Sequence, residues 1–239
     1  MQPKSDNLFH FTKSLHVLKS ILRNGIEPRY CLEDVSWLEV SHTHVAYAMK
    51  CFCDIPLTRI NEHKEFYGHY GIGLTKEWGL RNGLQPVIYL RKNGNISKCV
   101  RYLLSLDEPT EEVQKQELTM TIINMLALSK PLTGKMRVGD QYIEKEFFQE
   151  NEWRYAPPMR EILVESRFNE DVELANAVAA KEHTLSFEPK DIKYIFVNDD
   201  NEIPEIVDFI NSNLGRYSMN DLKILQSRII SLKSIEADL

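Results

Sequence analysis

A chain of 239 residues, 43% hydrophobic and 27% charged, can bury a sizeable core and reads as globular rather than disordered or fibrous. Its 29 Lys and Arg against 35 Asp and Glu leave a formal charge of −6, which argues against a surface coated by nucleic acid, though not against one local basic groove. No apolar run nears the roughly 20 residues that cross a bilayer, and the opening MQPKSDNLFHF lacks an apolar secretory segment.

The four cysteines, Cys31, Cys51, Cys53 and Cys99, form no CxxC pair. Zinc therefore has little support, and reduced thiols in a cytoplasm are the simplest reading. The histidines are scattered, without an i, i+4 helical pair, so no metal is expected.

The first predicted element is a strand over Leu8–Thr12, LFHFT, with Leu8, His10 and Thr12 on one face. Ser14 then caps a helix carrying Leu15, Leu18, Ile21 and Leu22, which stops at Asn24-Gly25. Ile26–Leu32 is extended. Residues 33–44 form a loop with Trp37 as a candidate lid. Val45–Ile55 is a strand, with Asp54 as the expected cap of a helix that opens at Pro56.

His69–Leu74 is a strand whose glycines, Gly71 and Gly73, imply that something approaches its backbone closely. Thr75 caps a short helix ending at Gly83, and Pro86–Leu90 is extended. Ser97–Ser129 is the main helical block. Its stripe of Val113, Leu118, Ile122, Met125 and Leu126 has the spacing of a core-facing helix. Strands follow over Met136–Val138, Tyr142–Ala156 and Ile162–Val164, then a helix over Asp171–Glu182. Ile192–Val197 is a buried strand, Ile203–Leu214 a helix, and Met219–Ile235 a last helix.

Short strands among helices predict an α+β fold with a mixed, mostly antiparallel sheet and flanking helices. The expected organisation is one domain over 1–217, with 218–239 as a C-terminal helix and candidate interaction element.

The stretch YIEKEFFQENEWRYAPP, Tyr142–Pro158, concentrates the chemistry. Period-two alternation puts Asn151, Trp153 and Tyr155 on one face and Glu152, Arg154 and Ala156 on the other. With Trp153 and Tyr155 toward a core, Glu152 and Arg154 share the opposite face. A guanidinium there would hold the carboxylate ionised. Two readings stay open, an active-site glutamate and a structural ion pair. His10 and Thr12 beside a helix start can bind a ligand hydroxyl or amide, or be ordinary half-buried polar residues. Tyr67, His69 and Tyr70 can stack on a flat ring or simply pack. No GxxxxGK[ST] or GxGxxG occurs, so neither a P-loop nor a Rossmann site is supported.

The order LFHFT, VLKSILRNGIEP, MKCFCDIPL, GHYGIGLTKEWG, PVIYL and ENEWRY, over residues 7–156, resembles the AbiGi family of bacterial abortive-infection phage-defence proteins. The opening strand and helix are more distantly similar to ADP-ribosyltransferase folds of the DarT type. That second resemblance implies an NAD-binding cleft. His10, with Thr12, would bind the NAD ribose. Tyr70 would stack on the nicotinamide, with Tyr47 and Tyr67 as rivals. Glu152 would be the catalytic glutamate of an E-x-E pair with Glu150, and Arg154 would bind the pyrophosphate. No Ser-Thr-Ser strand motif is present.

The expected function is then ADP-ribosyl transfer to a protein or nucleic-acid acceptor, or NAD cleavage, in a cytoplasmic defence system. The alternative is a non-catalytic antitoxin or partner-binding module of a two-gene system. Both imply a second protein partner and no membrane.

Overall fold

The structure is a computed structural model and describes residues 5–106, 111–138, 141–158 and 162–236. In chain order the elements are β1 (Asn7–Thr12), α1 (Leu15–Asn24), β2 (Arg29–Asp34), β3 (His44–Cys53), α2 (Ile60–Tyr67), β4 (Tyr70–Thr75) and α3 (Lys76–Arg81). Next come β5 (Gln85–Pro86), β6 (Ile88–Leu90), α4 (Asn95–Leu104), α5 (Glu112–Ala127), β7 (Ser129–Pro131), β8 (Thr133–Val138), β9 (Gln141–Glu146) and β10 (Glu152–Tyr155). The remainder is β11 (Leu163–Val164), α6 (Glu165–His183), β12 (Ile192–Val197), α7 (Ile203–Asn213), α8 (Met219–Gln226), β13 (Ile229–Ser231) and α9 (Leu232–Ile235). This is the expected α+β class, with mixed and mostly antiparallel pairing.

By its contacts the chain divides into two compact units, and the division falls inside β3. The first unit comprises Met1–Glu27, Cys51–Leu84 and Leu185–Leu239. Its strands run β13–β12–β4–β1, with Phe9 of β1 paired to Cys53 at the end of β3. Among the described residues of this unit, only β12 and β13 pair in parallel. Ser14 caps α1 by accepting from the Val17 N–H, and Gly25 ends it at φ 97°, a conformation that favours glycine.

The expectation of a close approach at Gly71 and Gly73 is met by aromatic rings. A Cβ at Gly71 would lie 2.9 Å from the Phe11 ring, and one at Gly73 would lie 2.9 Å from the Tyr194 ring. Those rings belong to the core of this unit, with Phe9, Phe11, Ile55, Ile60, Phe196 and Leu232. Asp54 caps neither the turn at Leu57–Arg59 nor α2; its carboxylate meets the Lys76 ammonium at 2.7 Å.

The expected single helix over Met219–Ile235 is instead α8, β13 and α9. Ile229 and Ile230 are β-branched and pair in parallel with Ile195 and Phe196, so strand burial outweighs the helical spacing of Leu222, Leu225, Ile229 and Leu232.

The second unit comprises Pro28–Lys50 and Gln85–Thr184. β2 and β11 both pair antiparallel with β3, and a path runs β3–β10–β5. β6 and β7 form a parallel pair, and β8 and β9 a hairpin. α6 covers Tyr30, Ala46, Ala48 and Leu163, and its Asn176 accepts the Tyr30 N–H at 2.7 Å.

Three expectations change here. Trp37 is buried rather than a lid. The α5 stripe is no core face: Val113 is exposed, and Leu118, Ile122, Met125 and Leu126 are half-buried. The strand over Tyr142–Ala156 is broken by a 3-10 turn at Phe147–Glu150, after which Asn151 takes a left-handed conformation at φ 45°. Among the described residues, no helix is long and apolar enough to cross a membrane.

Candidate functional site

The turn that breaks the predicted strand also reverses the facing of β10. Glu152 and Arg154 point inward, whereas Trp153 and Tyr155 are half-exposed. This inverts the expected assignment, and the physical reason lies in the surrounding charges. Two large charged side chains can be buried only where each meets partners.

Glu152 is 5% exposed and Arg154 is fully buried. Arg154 donates from Nε to Glu152 Oε1 at 2.7 Å, from Nη1 to the Ala127 carbonyl at 2.7 Å, and from Nη2 to Glu33 Oε1 at 3.1 Å. Lys130 donates to Glu152 Oε2 at 2.9 Å and approaches Glu150 Oε2 at 3.4 Å. Its ammonium also lies 4.3 Å from the centre of the Phe147 ring. Lys145 meets Glu150 Oε1 at 2.6 Å. The Glu152 N–H donates to the Tyr89 hydroxyl at 2.8 Å.

Three carboxylates, Glu33, Glu150 and Glu152, thus face three cations, Lys130, Lys145 and Arg154. Burial pulls the Lys130 ammonium down, but Glu152, Glu33 and Glu150 outweigh it and hold it above its ordinary range. Burial pushes Glu150 up, and Lys130 and Lys145 outweigh that and hold it below. Burial raises the phenols of Tyr47 and Tyr89.

Of the other sequence candidates, His10, Thr12, Tyr67 and Tyr70 lie in the first unit and Tyr47 in the second. His10 is half-buried on β1. Its Nδ1 is 2.9 Å from the Cys51 carbonyl, which only accepts, so that nitrogen carries the proton. Its ring packs on Phe52. Thr12 pairs across the ladder with Tyr70. The Tyr70 hydroxyl donates to Glu202 Oε1 at 2.6 Å; burial and then that bond push its phenol up to about 12.

The fold therefore brings His10, Thr12 and Tyr70 onto neighbouring strands of one unit, and Glu152, Arg154 and Glu150 into one cluster of the other. Of the rival tyrosines, Tyr67 stacks on His63 at 4.4 Å between ring centres. Tyr47 is buried and borders a cavity of about 10 Å³ with Ala127 and Ala156, which is room for about one water.

As ligands of NAD, Glu152 and Arg154 fit poorly. Both Glu152 oxygens already accept from buried cations, and neither Arg154 nor Glu152 is presented to a dinucleotide. Among the described residues, no group of three or more His, Cys, Asp or Glu is arranged to hold a metal ion.

Sequence reasoning found the Glu152–Arg154 pair from its spacing but missed Glu33, Tyr89, Lys130 and Lys145. Lys130 carries the only local signal, an isolated cation in the apolar run ALSKPL. Its partners lie about 20 positions away, where no short motif reaches.

The family model described as "Putative abortive phage resistance protein AbiGi, antitoxin" matches residues 24–198. The abortive phage resistance protein AbiGi of Lactococcus lactis subsp. cremoris is 30% identical over 246 aligned positions, covering 88% of this chain and 98% of that relative. No solved structure matches. The match spans the whole of β10 and its charge cluster, and the chain belongs to the AbiGi family of abortive phage resistance proteins.

Proposed function

We propose that this protein is the antitoxin of a two-gene phage-defence system and acts by binding its partner toxin, not by chemistry on NAD. The observation that carries the reading is the match over residues 24–198 to a family described as an antitoxin. The geometry supports it. The glutamate that a transferase would need free to stabilise an oxocarbenium-like ribose is held between Lys130 and Arg154 in the interior. Such a residue maintains a fold; it does not meet a substrate.

A second reading, NAD-dependent ADP-ribosyl transfer or NAD cleavage, draws its support from His10, Thr12 and Tyr70 lying together on β1 and β4. One experiment separates the two. The chain and its partner toxin are co-expressed, purified, and incubated with labelled NAD and candidate protein or nucleic-acid acceptors. The antitoxin reading expects a stable complex, relief of toxicity on co-expression and intact NAD. Consumption of NAD by the chain, abolished by His10→Ala or Tyr70→Phe, would replace it with the enzymatic reading.

A further inference from the structure

α6 turns one face to its own unit and carries a second, differently built face on the outside. Phe168, Val172, Ala175 and Ala179 pack with Tyr30, Ala46, Ala48 and Leu163, and Asn176 accepts the Tyr30 N–H among them. The opposite face carries Glu170, Leu174, Ala177 and Lys181, all exposed. Spacings of four, three and four residues keep these positions on one line along the helix. Leu174 is 72% exposed, more than any other large apolar side chain among the described residues, and Val178 beside it is also exposed. Ion pairs flank the line, Arg167 with Asp171 and Arg29 with Glu173, each at 3.8 Å. An apolar centre inside a charged rim is how interfaces are built.

Apolar exposure alone selects no occupant. The order of charges does. From its N-terminal end the line reads acidic, large apolar, small apolar, basic. A second copy turned antiparallel, about a two-fold axis between Ala175 and Asn176, brings Glu170 opposite Lys181 of that copy and Leu174 opposite its Ala177. Symmetry makes each contact twice. A large side chain then faces a small one, so the two helices can approach closely, and opposed helix ends lie side by side. A parallel pair would instead set Glu170 against Glu170 and Lys181 against Lys181, which repel. A partner of another sequence would need this same line with its charges in reverse order, and an antiparallel α6 already supplies it.

We propose that the outer face of α6 is a homodimer interface, in which the helices of two copies pack antiparallel. The proposal goes beyond the antitoxin reading and stands or falls separately from it. α6 has 19 residues, a length of about 28 Å. One helix pair of that length makes a small interface, so the dimer is reversible, with a dissociation constant on the order of 10 μM.

The test is sedimentation equilibrium of the full-length chain over roughly 1 to 200 μM. Six forms are compared: the wild type, Leu174→Asp, Glu170→Lys, Lys181→Glu, the swapped double variant Glu170→Lys/Lys181→Glu, and the control Leu80→Asp on the exposed side of α3. The wild type is expected to pass from monomer to dimer across this range. Leu174→Asp is expected to weaken the dimer at least about tenfold, because the two-fold axis removes both central anchors at once. Each single charge reversal is expected to weaken it severalfold, and less so in high salt. The swapped double variant restores opposite charges across the axis and is expected to return to near wild type. Leu80→Asp is expected to change nothing.

A wild type that stays monomeric throughout overturns the proposal. So does a dimer that Leu174→Asp and the single reversals leave intact, since another surface then forms it. Single reversals that the swapped double variant fails to rescue overturn the antiparallel pairing. Loss of binding to the cognate toxin in Leu174→Asp, with the wild type alone monomeric, also overturns it and gives the face to the toxin. The charge variants alter only exposed side chains, so the test holds even if Leu174→Asp fails to fold.

Discussion

Glu152 is held by partners on every side, and its removal would leave Lys130 and Arg154 buried without their shared carboxylate. Uncompensated buried charge costs about 3–5 kcal/mol. Glu152→Ala and Glu152→Gln are therefore both expected to lower unfolding stability by about that much in urea titrations. A catalytic glutamate exposed to substrate would instead leave the urea midpoint near wild type. Tyr70 has a lighter role: Tyr70→Phe loses one bond to Glu202 and is expected to cost about 1 kcal/mol. At this scale the sequence was half legible. The i, i+2 spacing of Glu152 and Arg154 exposed the pair, but the decision between a ligand-facing and an interior pair belonged to Lys130 and Glu33, which no local pattern connects to them.

Among elements, β10 is the one most altered from expectation. Its alternation was readable, but its phase was not. Period two gives two faces, and the aromatic residues Trp153 and Tyr155 made one face look like the core. The turn at Phe147–Glu150 and the left-handed Asn151 reset the phase. Asn tolerates that conformation and a β-branched residue does not. Asn151→Val is expected to destabilise by about 1–2 kcal/mol, whereas Asn151→Gly should be close to neutral by the same urea measurement. Gly68 is a stricter case, since it combines φ 115° with a Cβ position 2.3 Å from the Thr12 carbonyl oxygen. α1 and α3 were legible to their caps, because Ser14, Thr75 and Gly25 act locally. α5 and the C-terminal segment were less so. Spacing announces an apolar face but cannot say what covers it, or that a strand will claim Ile229 and Ile230.

For the molecule as a whole, the α+β class followed from the alternation of short strands and helices, and family membership from the order of motifs. The two units could not be foreseen, because each is assembled from segments far apart in the chain. The charge cluster sets a pH window for stability. Glu150 is held below its ordinary value of 4.5, so its contribution is complete above that value and is lost as pH falls through the lowered one. Lys130 is held above its ordinary 10.5, so its contribution is complete below 10.5 and is lost as pH rises through the raised value. The urea midpoint is expected to show no loss from these two groups between about pH 5 and 10 and to fall on both sides. Glu150→Gln should blunt the acid limb.

The central claim is that this protein works by binding and not by turning over NAD. The most direct measurement mixes the purified chain with its cognate toxin in labelled NAD and follows both the complex and the label through size-exclusion chromatography. The two proteins are expected to elute together with the NAD unchanged. Separate elution, with label released as nicotinamide or transferred to an acceptor, would contradict it.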